Sequence, residues 1–247
     1  MNKLQELFEQ EISVIQEISP HDEMYQGGNK EHYFGVGRSA LKCIMLAMLA
    51  AGNDMENIKK ILDLPSGYGR VLRYLKAFFK DAQITACDIE RNAVEFCRSI
   101  FDAKPIYSEK RPSNIKIDNK FDLIWCGSLL THLDFVRWVE FINFFHSILA
   151  SRGILVFTSH GRHCVERILT GDFTYGLNNE SLKILLDDFD RKGFGYVNYP
   201  DIDDFGISLS SPAHVLTMLE NIADLQLLLY YEKGWDNHHD VVACVKE

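Results

Sequence analysis

The chain has 247 residues, 47% of them hydrophobic and 25% charged, with a formal net charge of −9 and a pI near 5.5. This length suits one well-packed domain with an embellishment, and the composition excludes extended disorder. The acidic balance argues against a broad electrostatic footprint for DNA or RNA, so no nucleic acid partner is expected.

The first residues carry apolar side chains at helical spacing (Leu4, Leu7, Phe8, Ile12, Ile15, Ile18) and Pro20 stops the pattern, which predicts an opening amphipathic helix. The start lacks the continuous apolar core of a signal peptide. The longest apolar run, Cys43 to Ala51, is much shorter than the roughly 20 residues needed to cross a bilayer. No membrane association and a cytoplasmic location are therefore expected.

Arg38 to Ala51 reads as a largely buried helix ended by Gly52 and Asn53. From Lys59 the rhythm changes. Strands are expected at Lys60–Leu64, Gln83–Asp88, Pro105–Tyr107, Phe121–Cys126 and Gly153–Ser159, with helices near Gly69–Phe79, Arg91–Phe101 and Phe135–Leu149. This alternation predicts a doubly wound, Rossmann-like α/β sheet, mostly parallel, with helices on both faces. After Ser159 the pattern loosens into HGRHCVERILTGDF, a helix at Asn179–Lys192 and an aromatic, glycine-rich stretch, followed by a helix near Pro212–Ile222. Two last strands, Leu225–Glu232 and Asp240–Lys246, are joined by too short a connection to pair in parallel, so an antiparallel C-terminal hairpin closes the sheet. The six cysteines show no CxxC spacing and sit mostly in apolar stretches, as reduced buried thiols do.

In an open α/β sheet, ligands bind beyond the carboxyl ends of the strands, near the point where strand order reverses. ILDLPSGYGR, residues 61–70, ends the first strand at that place. Gly67 and Gly69 permit a tight turn and close backbone approach, while Pro65 stands where a nucleotide-binding loop usually has its first glycine. Asp88 closes the second strand about 20 residues on, where a carboxylate can accept both ribose hydroxyls of NAD or of S-adenosylmethionine. A dinucleotide fingerprint continues to a third glycine, and that place is Leu72, which disfavours a pyrophosphate.

The succession ILDLPSGYGRVLRYL, ITACDIERNAVEFC, FDLIWCGSLLTHL, LASRGILVFTSHG and HHDVVACVK resembles the class I S-adenosylmethionine-dependent methyltransferases. The likeness implies a single methyltransferase domain. It would comprise an N-terminal helical extension (1–58), a cofactor-binding core (59–159), a cap on the acceptor side (160–224) and closing strands (225–247). It implies S-adenosylmethionine as cofactor and S-adenosylhomocysteine as product. It further implies that Asp63 organises the methionine end, that Pro65, Ser66, Gly67 and Gly69 form the loop, and that Asp88 and Ile89 hold the ribose side. Ser108 falls in the adenine-contacting segment, and Cys126, Gly127 and Ser128 in the segment beside the transferred methyl and the adenine. An NAD-dependent oxidoreductase and a non-catalytic binding protein of the same fold stay open as alternatives.

His132 and His160 are the candidate catalytic bases, with His238 behind them; the plain alternatives for His132 are a cap on the next helix or a bond that satisfies a backbone group. The histidines show no metal-ligand spacing such as HExxH, and no metal is expected. Tyr25, Tyr33, Phe34, Phe194, Tyr196, Tyr199 and Trp235 either line an acceptor pocket or pack in the core. YFGVGRS is a candidate lid whose Arg38 meets a carboxylate or pairs at the surface. The expected acceptor is a small molecule or a glycan-type, sugar-containing compound, methylated on oxygen or nitrogen.

Overall fold

The computed structural model describes Gln10, residues 12–25 and residues 28–247. Leu4, Leu7 and Phe8 of the expected first helix lie outside the described residues. Ile12, Ile15 and Ile18 lie on non-helical chain, which corrects that expectation. The physical reason is Arg73. Its Nη1 donates to the carbonyls of Ile15 (2.8 Å) and Glu17 (3.0 Å), taking two acceptors that a helix would use internally.

Helix α1 (Lys30–Ala50) begins earlier than its apolar pattern, because Asn29 caps it by accepting the His32 N–H at 3.0 Å. By length and composition it could cross a membrane, but in the fold its apolar residues, Val36 to Met48, form core. The candidate lid is thus the first part of a core helix. A Cβ on its Gly37 would lie 2.3 Å from the Arg70 carbonyl, so α1 packs backbone-close against the end of the glycine turn.

The alternating region follows as β1 (Lys60–Asp63), α2 (Leu72–Phe78), β2 (Gln83–Asp88), α3 (Arg91–Phe101), β3 (Lys104–Tyr107), β4 (Phe121–Cys126), α4 (Phe135–Ile148) and β5 (Leu149–Ser159). After the cap come α7 (Pro212–Glu220), β8 (Leu225–Trp235) and β9 (His239–Lys246). The main sheet runs β3-β2-β1-β4-β5-β9-β8. Strands β1 to β5 pair in parallel, and β9 runs antiparallel between β5 and the edge strand β8. Successive strand residues serve opposite faces: Ile61, Leu123 and Val156 pack on α1 and α2, while Leu62, Ile124 and Leu155 pack on α4 and α7. Trp235 is a core residue rather than a pocket aromatic; its Nε1 donates to the Val36 carbonyl at 3.0 Å, joining β8 to α1. Phe194 and Tyr33 are buried as well. All six cysteines are buried and free.

The cap holds more regular structure than its sequence pattern suggests. It contains α5 (Arg162–Leu169), α6 (Asn179–Lys192) and an antiparallel hairpin of β6 (Phe194–Asn198) and β7 (Gly206–Ser210). The glycines that read as loop are what allow this packing. A Cβ on Gly195 would lie 2.2 Å from the Leu185 carbonyl, and one on Gly206 would lie 1.9 Å from that of Val197. Arg137 fastens the hairpin to the core: it pairs with Asp134 at 2.7 Å, donates to the Asp204 carbonyl, and reaches the Tyr196 hydroxyl at 3.3 Å.

Arg73 is 1% exposed and also binds the Gly69 carbonyl and the Tyr33 hydroxyl, with its guanidinium over the rings of Tyr33, Phe34 and Phe101. Arg73→Met keeps the volume but removes the bonds to the Ile15, Glu17 and Gly69 carbonyls, the last of them buried, and should lower stability by about 1–3 kcal/mol. Urea unfolding measures this, and a change below about 0.5 kcal/mol would show that the arginine does not fasten the 12–25 segment.

Candidate active site

The parallel strands β1, β2, β4 and β5 end together, which brings Asp63, Asp88, Cys126 and Ser159 to one edge of the sheet. Strand order reverses between β1 and β4, so the crevice opens beside Asp63. The turn after β1 continues the ladder: Leu64 N–H donates to the Trp125 carbonyl (3.1 Å) and Ser66 N–H to that of Cys87 (3.0 Å). The Leu64–Pro65 peptide is cis.

The two glycines of this turn do different work. Gly67 has φ +49° and nothing within 4 Å of the place a Cβ would take, so its open side is free for a ligand to approach. Gly69 has φ +81°, and its Cβ would lie 2.5 Å from the Phe101 ring; its smallness seats α3 against the turn.

Asp63 is 1% exposed, and neither carboxylate oxygen has a hydrogen-bond partner. Burial, reinforced by the nearby Asp88, pushes its pKa well above the ordinary carboxylate value. An unpartnered buried carboxyl of this kind can accept a cationic group. Asp88 is differently held. Its Oδ2 accepts the Gly67 N–H at 2.8 Å and its Oδ1 the Glu90 N–H at 2.9 Å. Burial raises its pKa, and the backbone donors oppose the rise. Each oxygen keeps acceptor capacity, as paired hydroxyls require.

Beyond Asp88 lies a mostly apolar cavity of about 340 Å³, walled by Pro65, Ile89, Ser108, Leu129, Phe141 and Phe205 among others. That is enough room for a flat heterocycle. Ser108 is tied into the edge by its N–H, which donates to the Asp88 carbonyl at 2.8 Å. Cys126 is wholly buried at the end of β4. A Cβ on Gly127 would lie 2.8 Å from the Trp125 Nε1, and Ser128 takes φ +63° with its N–H on the Thr158 hydroxyl at 2.8 Å. Asp122 lies at the other end of β4 and accepts the N–H groups of Lys59 and Lys60, each at 2.8 Å, so it supports the strand. Arg38 lines a recess with residues 12–14 and Tyr74, not with Asp63 or Asp88.

His132 does not cap α4; Asp134 does, accepting the Arg137 N–H at 3.0 Å. The His132 Nδ1 instead meets the Gly206 carbonyl at 2.9 Å, and the ring stacks on Phe205 with centroids 4.8 Å apart. A carbonyl only accepts, so Nδ1 carries the proton and Nε2 keeps its lone pair. Burial lowers the His132 pKa, which keeps the ring neutral. His160 is 3% exposed, stacks on His239 at 4.9 Å and lies 6.5 Å from His132, centroid to centroid. His238 is held by Arg167 and Tyr175. The sequence reading passed over Arg73, Arg137, Thr158 and Tyr175. For Arg137 a local signal existed, its position three residues after the capping Asp134; the others gave none.

Residues 62–155 match the family model described as a methyltransferase domain. No curated protein matches the chain. Among solved structures, DesVI of Streptomyces venezuelae is similar at TM-score 0.60 and 15% identity, over 94% of this chain and 100% of that one. Magnesium protoporphyrin IX methyltransferase from Synechocystis, solved with bound S-adenosylhomocysteine, gives 0.58 and 13%, over 91% of each chain. An S-adenosylmethionine-dependent methyltransferase from Clostridium acetobutylicum gives 0.58 and 14%, over 85% of this chain and 91% of that one. Residues 62–155 are thus similar to a methyltransferase domain, and they sit in a seven-stranded, mostly parallel Rossmann-like sheet, the fold of these solved S-adenosylmethionine-dependent methyltransferases.

Proposed function

We propose that the chain is an S-adenosylmethionine-dependent methyltransferase that acts on a small hydroxyl- or amine-bearing acceptor, sugar-containing compounds included, with His132 as the general base. The observation that carries this reading is the contact of His132 Nδ1 with the Gly206 carbonyl, which leaves Nε2 its lone pair in a half-buried, neutral ring in the segment after β4. A porphyrin methyltransferase among the similar folds supports a small-molecule acceptor by analogy alone. The net charge of −9 speaks against a polyanionic one. The same acidic chain with buried, reduced thiols supports a cytoplasmic location.

In this reading Asp63 pairs with the methionine ammonium and Asp88 accepts the ribose hydroxyls. Ile89, Pro65 and Ser108 flank the adenosine. Ser66, Gly67 and Gly69 shape the turn against the methionine portion, and Cys126, Gly127 and Ser128 form the wall toward the methyl group. S-adenosylmethionine bound there supplies an electrophilic methyl group. The protein's share is to orient the acceptor, exclude water and take a proton. His132 Nε2 takes the acceptor's O–H or N–H proton while Nδ1–H stays on Gly206, and the aromatic face of Phe205 and the Tyr199 hydroxyl, 3.3 Å from Nδ1, border the same place. An oxidoreductase is not favoured, since the third glycine of a dinucleotide loop is replaced by Leu72, wholly buried as the first residue of α2.

Two outcomes follow for the cofactor end and the base. Asp63 has a raised pKa when the site is empty, and an ammonium partner lowers it, so binding S-adenosylhomocysteine releases protons wherever the pH lies between the two values. Affinity therefore rises with pH through that window and levels off above the raised pKa. Calorimetry in buffers of different ionisation enthalpy reads the release, and an unchanged pH slope in Asp63→Asn would remove Asp63 from this role. Once an acceptor is found by mass-spectrometric screening of sugars and small alcohols and amines, His132→Asn tests the base. Its amide can still donate to Gly206 but offers no Nε2, so kcat should fall about 100-fold or more with S-adenosylhomocysteine affinity unchanged. A kcat within about threefold of the parent would reject the assignment.

A further inference from the structure

Three residues from separate elements converge behind His132. His160 directly follows β5, Cys164 lies in the first turn of α5, and His238 lies in the connection between β8 and β9. The Cys164 sulfur and one nitrogen from each histidine all lie within 4.8 Å of one another. Their placement depends on a tight approach. A Cβ on Gly161 would lie 1.9 Å from Asp240 Oδ2, so only glycine lets the chain leave β5 there and turn straight into α5, with Cys164 N–H on the Gly161 carbonyl at 3.0 Å.

This cluster holds one lone pair that the fold does not use, and a thiol that donates to the His238 carbonyl at 3.6 Å. His160 is 3% exposed, and its Nδ1 has no partner. Its other nitrogen is therefore the one that serves the hydrogen bond to the Ser208 backbone. Cys164 is fully buried, and its sulfur lies 3.9 Å from His238 Nε2. Two imidazole nitrogens and a thiolate are the donor set that zinc prefers, with metal bonds of roughly 2.0–2.3 Å that place tetrahedral ligands about 3.5 Å apart. The sulfur–nitrogen pair is already near that spacing.

We propose that His160, Cys164 and His238 bind a zinc-class divalent cation, leaving its fourth position for water, the Tyr175 hydroxyl or an acceptor heteroatom. Tyr175 stands 3.2 Å from His238 Nε2, within reach of that position. In the ion-free protein Arg167 Nη1 lies 3.2 Å from His238 Nδ1. Guanidinium only donates, so Nδ1 accepts there and the proton resides on Nε2. Ion binding takes the Nε2 lone pair, moves that proton to Nδ1 and displaces Arg167; the Cys164 thiol gives its proton to solvent as the sulfur–metal bond forms. Arg167 and the ion thus compete for one imidazole. This site stands apart from cofactor binding at Asp63 and Asp88.

The test uses the full chain, stripped with a chelator and titrated with zinc alone, with cobalt as a spectroscopic substitute and S-adenosylhomocysteine binding measured in parallel. Expected are one equivalent of zinc, a thiolate-to-cobalt charge-transfer band, at least a tenfold weaker affinity in Cys164→Ser and a severalfold tighter one in Arg167→Met. Absence of stoichiometric zinc, or zinc binding that Cys164→Ser leaves intact, overturns the proposal while S-adenosylhomocysteine binding reports separately on the methyltransferase site. Should Cys164→Ser not fold, the cobalt–thiolate band and the Arg167→Met shift decide alone, and absence of both refutes the site.

Discussion

The constraint on which the site depends is the burial of Asp63 without a partner. A carboxylate held this way costs several kcal/mol in its charged form, on the order expected for a desolvated ion. Burial shifts the group toward its protonated form, and Asp88 beside it adds repulsion that works in the same direction. The surrounding structure has to hold the backbone rigidly, because any looseness would admit water and let the carboxyl relax. Arg73 does this from one side by binding Gly69 and the 12–25 segment, and the Leu64 and Ser66 ladder bonds do it from the other.

Asp88 shows how the same edge treats a second carboxyl differently. It is also buried, yet two backbone N–H groups satisfy it and one of them belongs to Gly67. The turn and the acidic residue are therefore a single unit: Asp88 fixes the path of the loop, and the loop fixes the orientation of Asp88. This explains why Pro65 is tolerated. The donor that matters to Asp88 is the Gly67 N–H, two residues on, so losing the N–H at position 65 leaves that bond untouched.

The core was legible in the sequence wherever one physical signal dominated. Gln83–Asp88, Phe121–Cys126, Arg91–Phe101 and Asn179–Lys192 emerge with the expected bounds, since apolar period, cap and breaker agree there. That Asp63, Asp88 and the glycine turn lie together at the carboxyl edge of the sheet was legible because strand ends in a doubly wound sheet are fixed points. The first segment was misread because Arg73, some 58 positions away, claims the Ile15 carbonyl, and no local pattern encodes that contact. The β6–β7 hairpin was missed for an opposite reason: Gly195 and Gly206 look like loop residues but are there to let a helix and a strand approach. Convergence of His160, Cys164 and His238 needs the β5–β9 pairing, and spacing along the chain carries no trace of it.

The two ends of the crevice are shifted in opposite directions by one cause. Desolvation raises Asp63 and Asp88 toward neutrality and lowers His132, His160, His238 and His239, with His238 falling to about 4. Burial disfavours whichever form is charged, so desolvation pushes the carboxyls and the imidazoles of this edge alike toward their neutral forms. Charge then enters with the ligand. A cationic group beside Asp63 would favour its carboxylate form, and its charge would hold a neighbouring imidazole in the neutral form, the only one that can take a proton. A site that kept its carboxylates solvated and its histidines protonated would meet a cationic methyl donor with screened attraction at one end and repulsion at the other. The cap, fastened by Arg137, meets His132 at the Gly206 carbonyl and leaves the imidazole half-buried rather than fully solvated.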